Sequence, residues 1–158
     1  MKSFFFCFLI LFLFVFSGSA FAFSPPLMFQ NDRVFEEGYE HPILEKSGTI
    51  FAPYTFFLGF SDMIKKDFDG GFLIENKKTG AFISYNFSSP DRYLTSRFMS
   101  KKAEIFEGTV YFPLNESASL FSLVSEIKKD GNSTFVRLSD HGARSSFSQL
   151  LDLIKVRG

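Results

Sequence analysis

The stretch 133–154, STFVRLSDHGARSSFSQLLDLI, decides the fold that the sequence predicts. Its first six residues include several of the residue types favoured in strands, and they indicate a short strand. A polar turn with one of the two histidines of the chain follows. The rest carries apolar residues at the i, i+3, i+4, i+7 spacing of a helix, for which Ser145 or Ser146 is a suitable N-cap. Those apolar residues are Phe147, Leu150, Leu151 and Ile154.

The residues before this stretch predict the same order of elements. AEIFEGTVYF, residues 103–112, reads as one strand that Pro113 closes. Apolar residues between 120 and 127 then fall at helical spacing, with Asn115 or Ser117 as the cap and Gly131 as the stop. Residues 103–158 therefore predict a βαβα unit. Such a unit should wind right-handed and place its two strands parallel.

The N-terminal half predicts a β-rich part. GFLIENKKTGAFISYNF, residues 71–87, reads as a hairpin with NKKTG as its turn. The aromatic run at 49–60 contains Pro53, which favours an edge strand or a broken strand. We expect an irregular lead-in over 23–48 and a loop or a helical turn over 61–71. The pattern over 91–102 is ambiguous, and a short helix is one alternative. No internal repeat is evident.

These elements predict one α/β domain over residues 49–158. In it, a β-rich N-terminal part with a hairpin, residues 49–90, packs on the βαβα unit of residues 103–158. A mature chain of about 136 residues is long enough to bury a core of this kind.

The N-terminus has the features of a secretory signal peptide over residues 1–22. Lys2 precedes an apolar run too short to span a bilayer, and the segment ends in Ala20-Phe21-Ala22. The single cysteine lies inside it, so the mature chain would contain no disulfide, no cysteine nucleophile and no cysteine-based metal site. We expect a secreted protein, of the bacterial periplasm, without metal or cofactor.

The charge balance excludes two classes of partner. The chain has 17 basic and 17 acidic residues. Phosphate backbones and anionic lipids both attract basic surfaces, so we expect no nucleic acid partner and no membrane contact beyond the signal peptide. Three Asn-x-Ser/Thr triplets, at Asn86, Asn115 and Asn132, would accept glycans only in a eukaryotic secretory pathway.

The loop between the last predicted strand and helix is the candidate site. In a parallel unit, ligands bind at the carboxyl ends of the strands, and free amides at a helix N-terminus suit an anion or a developing oxyanion. The candidate ligand- or anion-binding residues are Ser139, Asp140, His141, Gly142, Ser145 and Ser146.

The layout of residues 104–158 resembles the Clp-protease and crotonase-like superfamily. The segments EIFEGTVYF, ASLFSLVSEIKK, TFVRLSDHGARS and FSQLLDLIKVRG occur in the order of that family's βαβα unit. The family's strand ends in Ser-Pro-Gly-Gly, whose turn supplies an oxyanion hole. Here Ser139 and Gly142 match, whereas Asp140 and His141 do not. The family's nucleophilic serine and its histidine come later, so the resemblance implies a truncated or degenerate relative.

Other catalytic patterns favour surface positions. Asp140, His141 and Ser145 are neighbours in one turn and should point apart, so we assign no catalytic residue. Ser125 and Lys128 have the spacing of Ser–Lys hydrolases, but on a polar helix face. Two distant histidines and no cysteine in the mature chain argue against a structural zinc site.

The aromatic excess predicts a partner surface. Ten Phe and Tyr residues crowd positions 51–87, and a surplus that the core cannot hide would be exposed. The candidate partner residues are Phe56, Phe57 and Phe60. We therefore expect a non-catalytic protein that acts by binding an unknown protein partner, or by structural interaction, in the cell envelope. The alternative is a serine-hydrolase-type enzyme, or one half of a split enzyme, with the 139–146 turn as its oxyanion hole.

Overall fold

The computed structural model describes residues 27–89, 93–141 and 143–157, with side chains up to 156. The predicted signal peptide and Gly142 lie outside the described residues. Within these ranges the chain is a sheet-rich α/β fold with twelve strands, two α-helices and two short 3-10 helices.

The strands lie in three sheets of four. They are β1 (Met28–Gln30), β2 (Arg33–Val34), β3 (Leu44–Lys46), β4 (Thr49–Pro53), β5 (Met63–Phe68), β6 (Gly71–Asn76), β7 (Phe82–Asn86), β8 (Leu94–Thr95), β9 (Glu104–Phe106), β10 (Thr109–Pro113), β11 (Val124–Asp130) and β12 (Ser133–Ser139). The 3-10 helices are Glu36–Tyr39 and Tyr54–Phe57, and the α-helices are α1 (Leu114–Leu120) and α2 (Phe147–Arg157).

The order of strands in each sheet separates the predicted unit. Sheet A has the order β11-β12-β1-β2, sheet B β3-β4-β10-β9, and sheet C β5-β6-β7-β8. Among the described strands the one parallel pairing is β1 with β12, and all other neighbours are antiparallel. The predicted strand at 103–112 is in fact the β9–β10 hairpin in sheet B, whereas β12 lies in sheet A. The prediction of a parallel βαβα unit is therefore wrong.

The predicted helix over 120–127 is also corrected. Helix α1 ends at Leu120, Ser122 adopts a left-handed φ of 60°, and β11 follows. Ser122 breaks the helix because a left-handed residue cannot continue a right-handed turn. A two-residue turn at 131–132 then pairs β11 with β12 over its full length, from Val124 opposite Ser139 to Asp130 opposite Ser133. The apolar spacing therefore belonged to a helix end and an adjoining strand.

The N-terminal lead-in and the 61–71 segment are more ordered than their composition predicted. β1 inserts beside β12, where Met28 and Phe29 are buried. Residues 63–68 form β5, which pairs with β6. The strand ending at Pro53 is an inner strand between β3 and β10, because a proline at a strand's last residue removes no donor from the strand interior.

Two segments of the chain repeat the same order of elements, although the sequence predicted no internal repeat. Hairpin β3–β4, a 3-10 helix and hairpin β5–β6 correspond to hairpin β9–β10, α1 and hairpin β11–β12. The first hairpins align with an offset of 60 residues: Gly48-Thr49 matches Gly108-Thr109, and Pro53 matches Pro113.

The backbone of the two first hairpins repeats as well. Ser47 and Gly48 have φ of 51° and 75°, and Glu107 and Gly108 have φ of 48° and 78°. Two successive positive φ angles define the two-residue hairpin turn that matches strand twist, and Gly adopts the second of them without steric cost.

The two units meet through their equivalent strands β4 and β10. Ala52 lies opposite its own counterpart Phe112, and Pro53 lies opposite Tyr111. This register relates the two strands by an approximate twofold axis. Lys46 of β3 also pairs with Glu104 of β9 at 2.8 Å, so sheet B curls until its two edge strands come within side-chain reach.

One main core takes side chains from all three sheets. It includes Met28 from sheet A, Phe112 from sheet B and Ile74 from sheet C. A smaller second cluster lies between sheet A and α2, and consists of Phe29, Phe135, Phe147, Leu150 and Leu151. None of the helices in the described part of the chain has the length and hydropathy needed to cross a bilayer.

Candidate functional site

The predicted loop at 139–146 lies between β12 and α2, where the turn between β1 and β2 contacts it. Gln30 pairs with Arg33, so Asn31 and Asp32 form the two-residue turn, and Asn31 has a φ of 53°. Asn tolerates this left-handed conformation better than most residues. Both side chains of the turn point at the loop.

Asp32 accepts hydrogen bonds from the loop in which the sequence predicted an anion site. Its carboxylate accepts the Arg144 amide at 2.8 Å and the Ser145 hydroxyl at 2.6 Å. Asn31 accepts the Asp140 amide through its Oδ1 at 3.0 Å. Hydrogen bonds from the Ser145 side chain and the Arg144 backbone lower the pKa of Asp32, against a smaller opposing effect of burial. The loop therefore holds an anion already, and that anion is part of the chain.

Arg137 of β12 is also part of this polar cluster. Its side chain is 5% exposed, and it contacts Glu126 at 2.5 Å and Asp32 at 3.5 Å. It also donates to the Ser145 carbonyl at 2.8 Å, and its guanidinium lies 5.2 Å from the centre of the Phe147 ring. A buried charge requires such partners. Arg137 thus links strand β11, the β1–β2 turn and the N-terminal end of α2.

The N-terminus of α2 is capped from within. Ser146 accepts the Gln149 amide at 3.2 Å, and Gln149 accepts the Ser146 amide at 3.0 Å, which is the reciprocal capping box. The expected capping serine is therefore found. The amides of Arg144 and Ser146 already have acceptors, so neither is free for an oxyanion.

The other predicted site residues have structural or solvent-facing positions. Ser139 is 5% exposed, with the Val124 carbonyl 3.5 Å from its Oγ. Asp140 is half-buried, His141 is exposed, and Gly142 lies outside the described residues. Ser145 donates to Asp32, so its hydroxyl is engaged away from any histidine.

The Ser125–Lys128 pair is not a dyad, because the two residues lie three apart on strand β11. Side chains three apart on a strand point to opposite faces. Ser125 donates to Asn115 at 2.9 Å, and Lys128 lies over the Phe147 ring at 5.9 Å. Among the described residues there is no group of three or more His, Cys, Asp or Glu side chains able to hold a metal ion.

The predicted partner residues are core residues. Phe56 and Phe57 are 0% exposed, and Phe60 is 6% exposed. The 3-10 helix that carries Phe56 and Phe57 faces inward, where Phe56 packs on Phe35 and Phe57 on Phe121, with ring centroids 5.0 and 6.1 Å apart. The prediction that these three phenylalanines form a partner surface is wrong, because the main core has room for them.

Exposed apolar side chains occur in several segments, and residues 93–106 contain the most exposed of them. Phe98 is 92% exposed, Leu94 71%, Ile105 51% and Phe106 44%. Residues 93–102 also carry three basic and no acidic side chains, and we call them the basic-aromatic loop. The sequence predicted no functional residue in this loop. The sequence feature that could have indicated it is Arg97 next to Phe98, with Lys101 and Lys102 nearby, in a segment without clear periodicity.

The basic-aromatic loop is anchored to the fold at both ends. Ser96 donates its amide to the Phe82 carbonyl at 3.1 Å, and Ser100 donates its hydroxyl to Glu116 at 2.6 Å. Tyr93 packs on Phe112 and donates to the Lys101 carbonyl. Burial, together with the nearby Glu116 carboxylate, raises the pKa of Tyr93 to about 12, so the phenol remains a donor.

Comparisons with family models, with curated proteins and with solved structures returned no match to this chain.

Proposed function

We propose that this protein is a non-catalytic binding module of the cell envelope, secreted or periplasmic, that docks a protein partner through the basic-aromatic loop. The signal-peptide pattern of residues 1–22 supports the location. The resemblance to the Clp-protease and crotonase-like superfamily does not support this proposal, because the described strands do not form the parallel crossover that the resemblance implies.

The observation that carries the proposal is the exposure of Phe98 on an anchored loop. Phe98 is 92% exposed, and a partner that covers it removes the unfavourable free energy of hydrating this apolar surface. The hydrogen bonds of Ser96 and Ser100 hold the loop in place before binding, so little further conformational entropy is lost on docking. Leu94 adds apolar area, and Arg97 and Lys101 supply charges for orientation.

The 139–146 loop supports the non-catalytic part of the proposal. An oxyanion hole needs free donors aimed at the reacting atom. In this loop the Arg144 amide and the Ser145 hydroxyl bind Asp32, and the Ser146 amide binds Gln149. The polar groups there serve to hold α2 on sheet A.

The test compares two serine substitutions at exposed apolar residues. Phe98→Ser should abolish the capture of an envelope protein by the immobilised mature protein. Val156→Ser is the matched control, because Val156 is 87% exposed on α2, away from the loop, and this variant should keep the capture. Equal capture by both variants would refute the proposed surface.

A second assay tests the absence of catalysis. The purified mature protein is incubated with an activated fluorophosphonate probe for serine hydrolases, and we expect no labelling. Labelling that Ser145→Ala removes would instead favour the hydrolase alternative.

A further inference from the structure

A second exposed segment of the chain carries the opposite charge to the basic-aromatic loop. Glu36, Glu37 and Glu40 are exposed in and just after the first 3-10 helix, and Tyr39 between them is 51% exposed. Residues 34–45 contain no Lys or Arg. None of these three glutamates forms an ion pair with any described residue. We call residues 36–40 the acidic segment.

The basic-aromatic loop is complementary to the acidic segment. Arg97 and Lys101 are exposed and make no ion pair within the described part of the chain. The carboxylate that faces this loop, Glu116, accepts the hydroxyl of Ser100. Two nearby acids lie on the adjoining hairpin: Glu104, which pairs with Lys46, and Glu107 at its turn.

We infer that the partner is a second copy of this chain, with the acidic segment of one copy docked on the basic-aromatic loop of the other. This inference rests on the proposed function and names its partner. Opposite charges steer the two surfaces together and set their register. Tyr39 and Phe98 bring exposed aromatic rings to the same contact, where ring pairs add to the burial of apolar area.

The charge of the whole chain favours such a contact. With 17 basic and 17 acidic residues, copies of the chain do not repel one another at neutral pH. Two different surfaces are used, so the contact is heterologous, and it closes into a ring or continues from copy to copy. Because exposed charges carry it, dissolved salt should weaken it.

Charge reversal tests the contact in both directions. One variant combines Glu36→Lys, Glu37→Lys and Glu40→Lys, and the other combines Arg97→Glu and Lys101→Glu. Sedimentation velocity of the mature protein at low salt should show association that each variant alone weakens by roughly tenfold or more, since attractive pairs become repulsive. An equal mixture of the two variants should associate again, because each reversed surface then meets its complement.

The matched control reverses two exposed lysines elsewhere. Lys77→Glu with Lys78→Glu, in the turn between β6 and β7, changes the net charge as much as the reversal at Arg97 and Lys101 does. This control should associate like the unchanged protein. A thermal melt of each variant verifies that it is folded.

Three results would overturn the inference. The unchanged protein could be a monomer at all concentrations, both charge-reversal variants could associate as strongly as the unchanged protein, or the mixture of the two variants could stay monomeric. A monomer whose envelope-protein capture still depends on Phe98 would refute self-association and leave the proposed function standing. A monomer whose capture ignores Phe98 would refute both.

Discussion

A single carboxylate, Asp32, joins the β1–β2 turn near the N-terminus to two C-terminal parts, the loop after β12 and buried Arg137. We predict that Asp32→Asn lowers the free energy of unfolding by about 2 kcal/mol. The charged carboxylate that accepts from Arg144 and Ser145 becomes a neutral amide, and Arg137 loses an ion-pair partner. Urea denaturation measures the change. Asp62→Asn, at an exposed carboxylate, is the control and should stay within about 0.5 kcal/mol.

The same carboxylate predicts a pH dependence with a definite sign. The pKa of Asp32 is lower in the folded protein than the ordinary value of 3.8. Its contribution is therefore fully present above the unfolded-state pKa, and it is lost as the pH falls through the folded-state pKa. The stability difference between the unchanged protein and Asp32→Asn should be constant near neutral pH and shrink below about pH 4. A difference that grows on acidification would contradict this assignment.

Residue-level patterns in the sequence predicted local features better than partners in space. The sequence predicted Ser145 or Ser146 as the cap of the last helix, and Ser146 is the cap, because a serine directly before a helical pattern is a local signal. Asp32 was missed because it lies 113 residues from Ser145. No local pattern in a single sequence indicates such a contact.

At the scale of elements, hairpin turns were the decisive and overlooked signal. Gly108 turns the chain after three residues of β9, and the 131–132 turn fixes β11 as a strand. Helical spacing over 120–127 predicted a helix, because a helix end followed by a strand can imitate the helical period over a short window. The β6–β7 pairing lies where alternation and a Gly-ending turn indicated a hairpin.

The repeat of the first hairpins gives a prediction at this scale. Gly48 and Gly108 are equivalent, have positive φ, and have no atom near an added Cβ. Gly48→Ala and Gly108→Ala should each cost about 1 kcal/mol by strain alone, and the two costs should agree. Gly71→Ala is the contrasting variant and should cost more, because its Cβ would lie 2.1 Å from the Tyr85 carbonyl oxygen. Urea denaturation of the three variants measures this, and unequal costs at the two turns would argue against their equivalence.

At the scale of the whole molecule, composition predicted a domain with a large core. The arrangement of the sheets depends on pairing between strands that are distant in the sequence. The aromatic residues predicted a large core, and the main core contains five of the ten singled out at 51–87, with Tyr54 packed against it. The sheet order was not predictable, because β1 and β12 are about a hundred residues apart and β1 has only three residues. Phe56, Phe57 and Phe60, which were predicted to be exposed, are core residues, whereas Phe68 and Phe87 from the same stretch are exposed.

The contact between the two repeated units predicts how the molecule unfolds. Phe112, on β10, is 0% exposed and lies opposite Ala52 of β4. Its ring also contacts Phe72 and Tyr85 of sheet C, with centroids 6.3 and 6.2 Å apart. Phe112→Ala therefore removes packing between both units and between two sheets, and it should cost about 4 kcal/mol.

Because one core spans all three sheets, this loss should lower the stability of the whole described fold and not of one unit. Far-ultraviolet circular dichroism and tyrosine fluorescence should then report a single transition at the same, lower urea concentration. Phe98→Ala is the matched control, since the same atoms are removed from a ring that is 92% exposed, and its midpoint should hardly move. Two separated transitions in the Phe112 variant would mean that the units fold independently, and the shared core would then not be the source of their cooperativity.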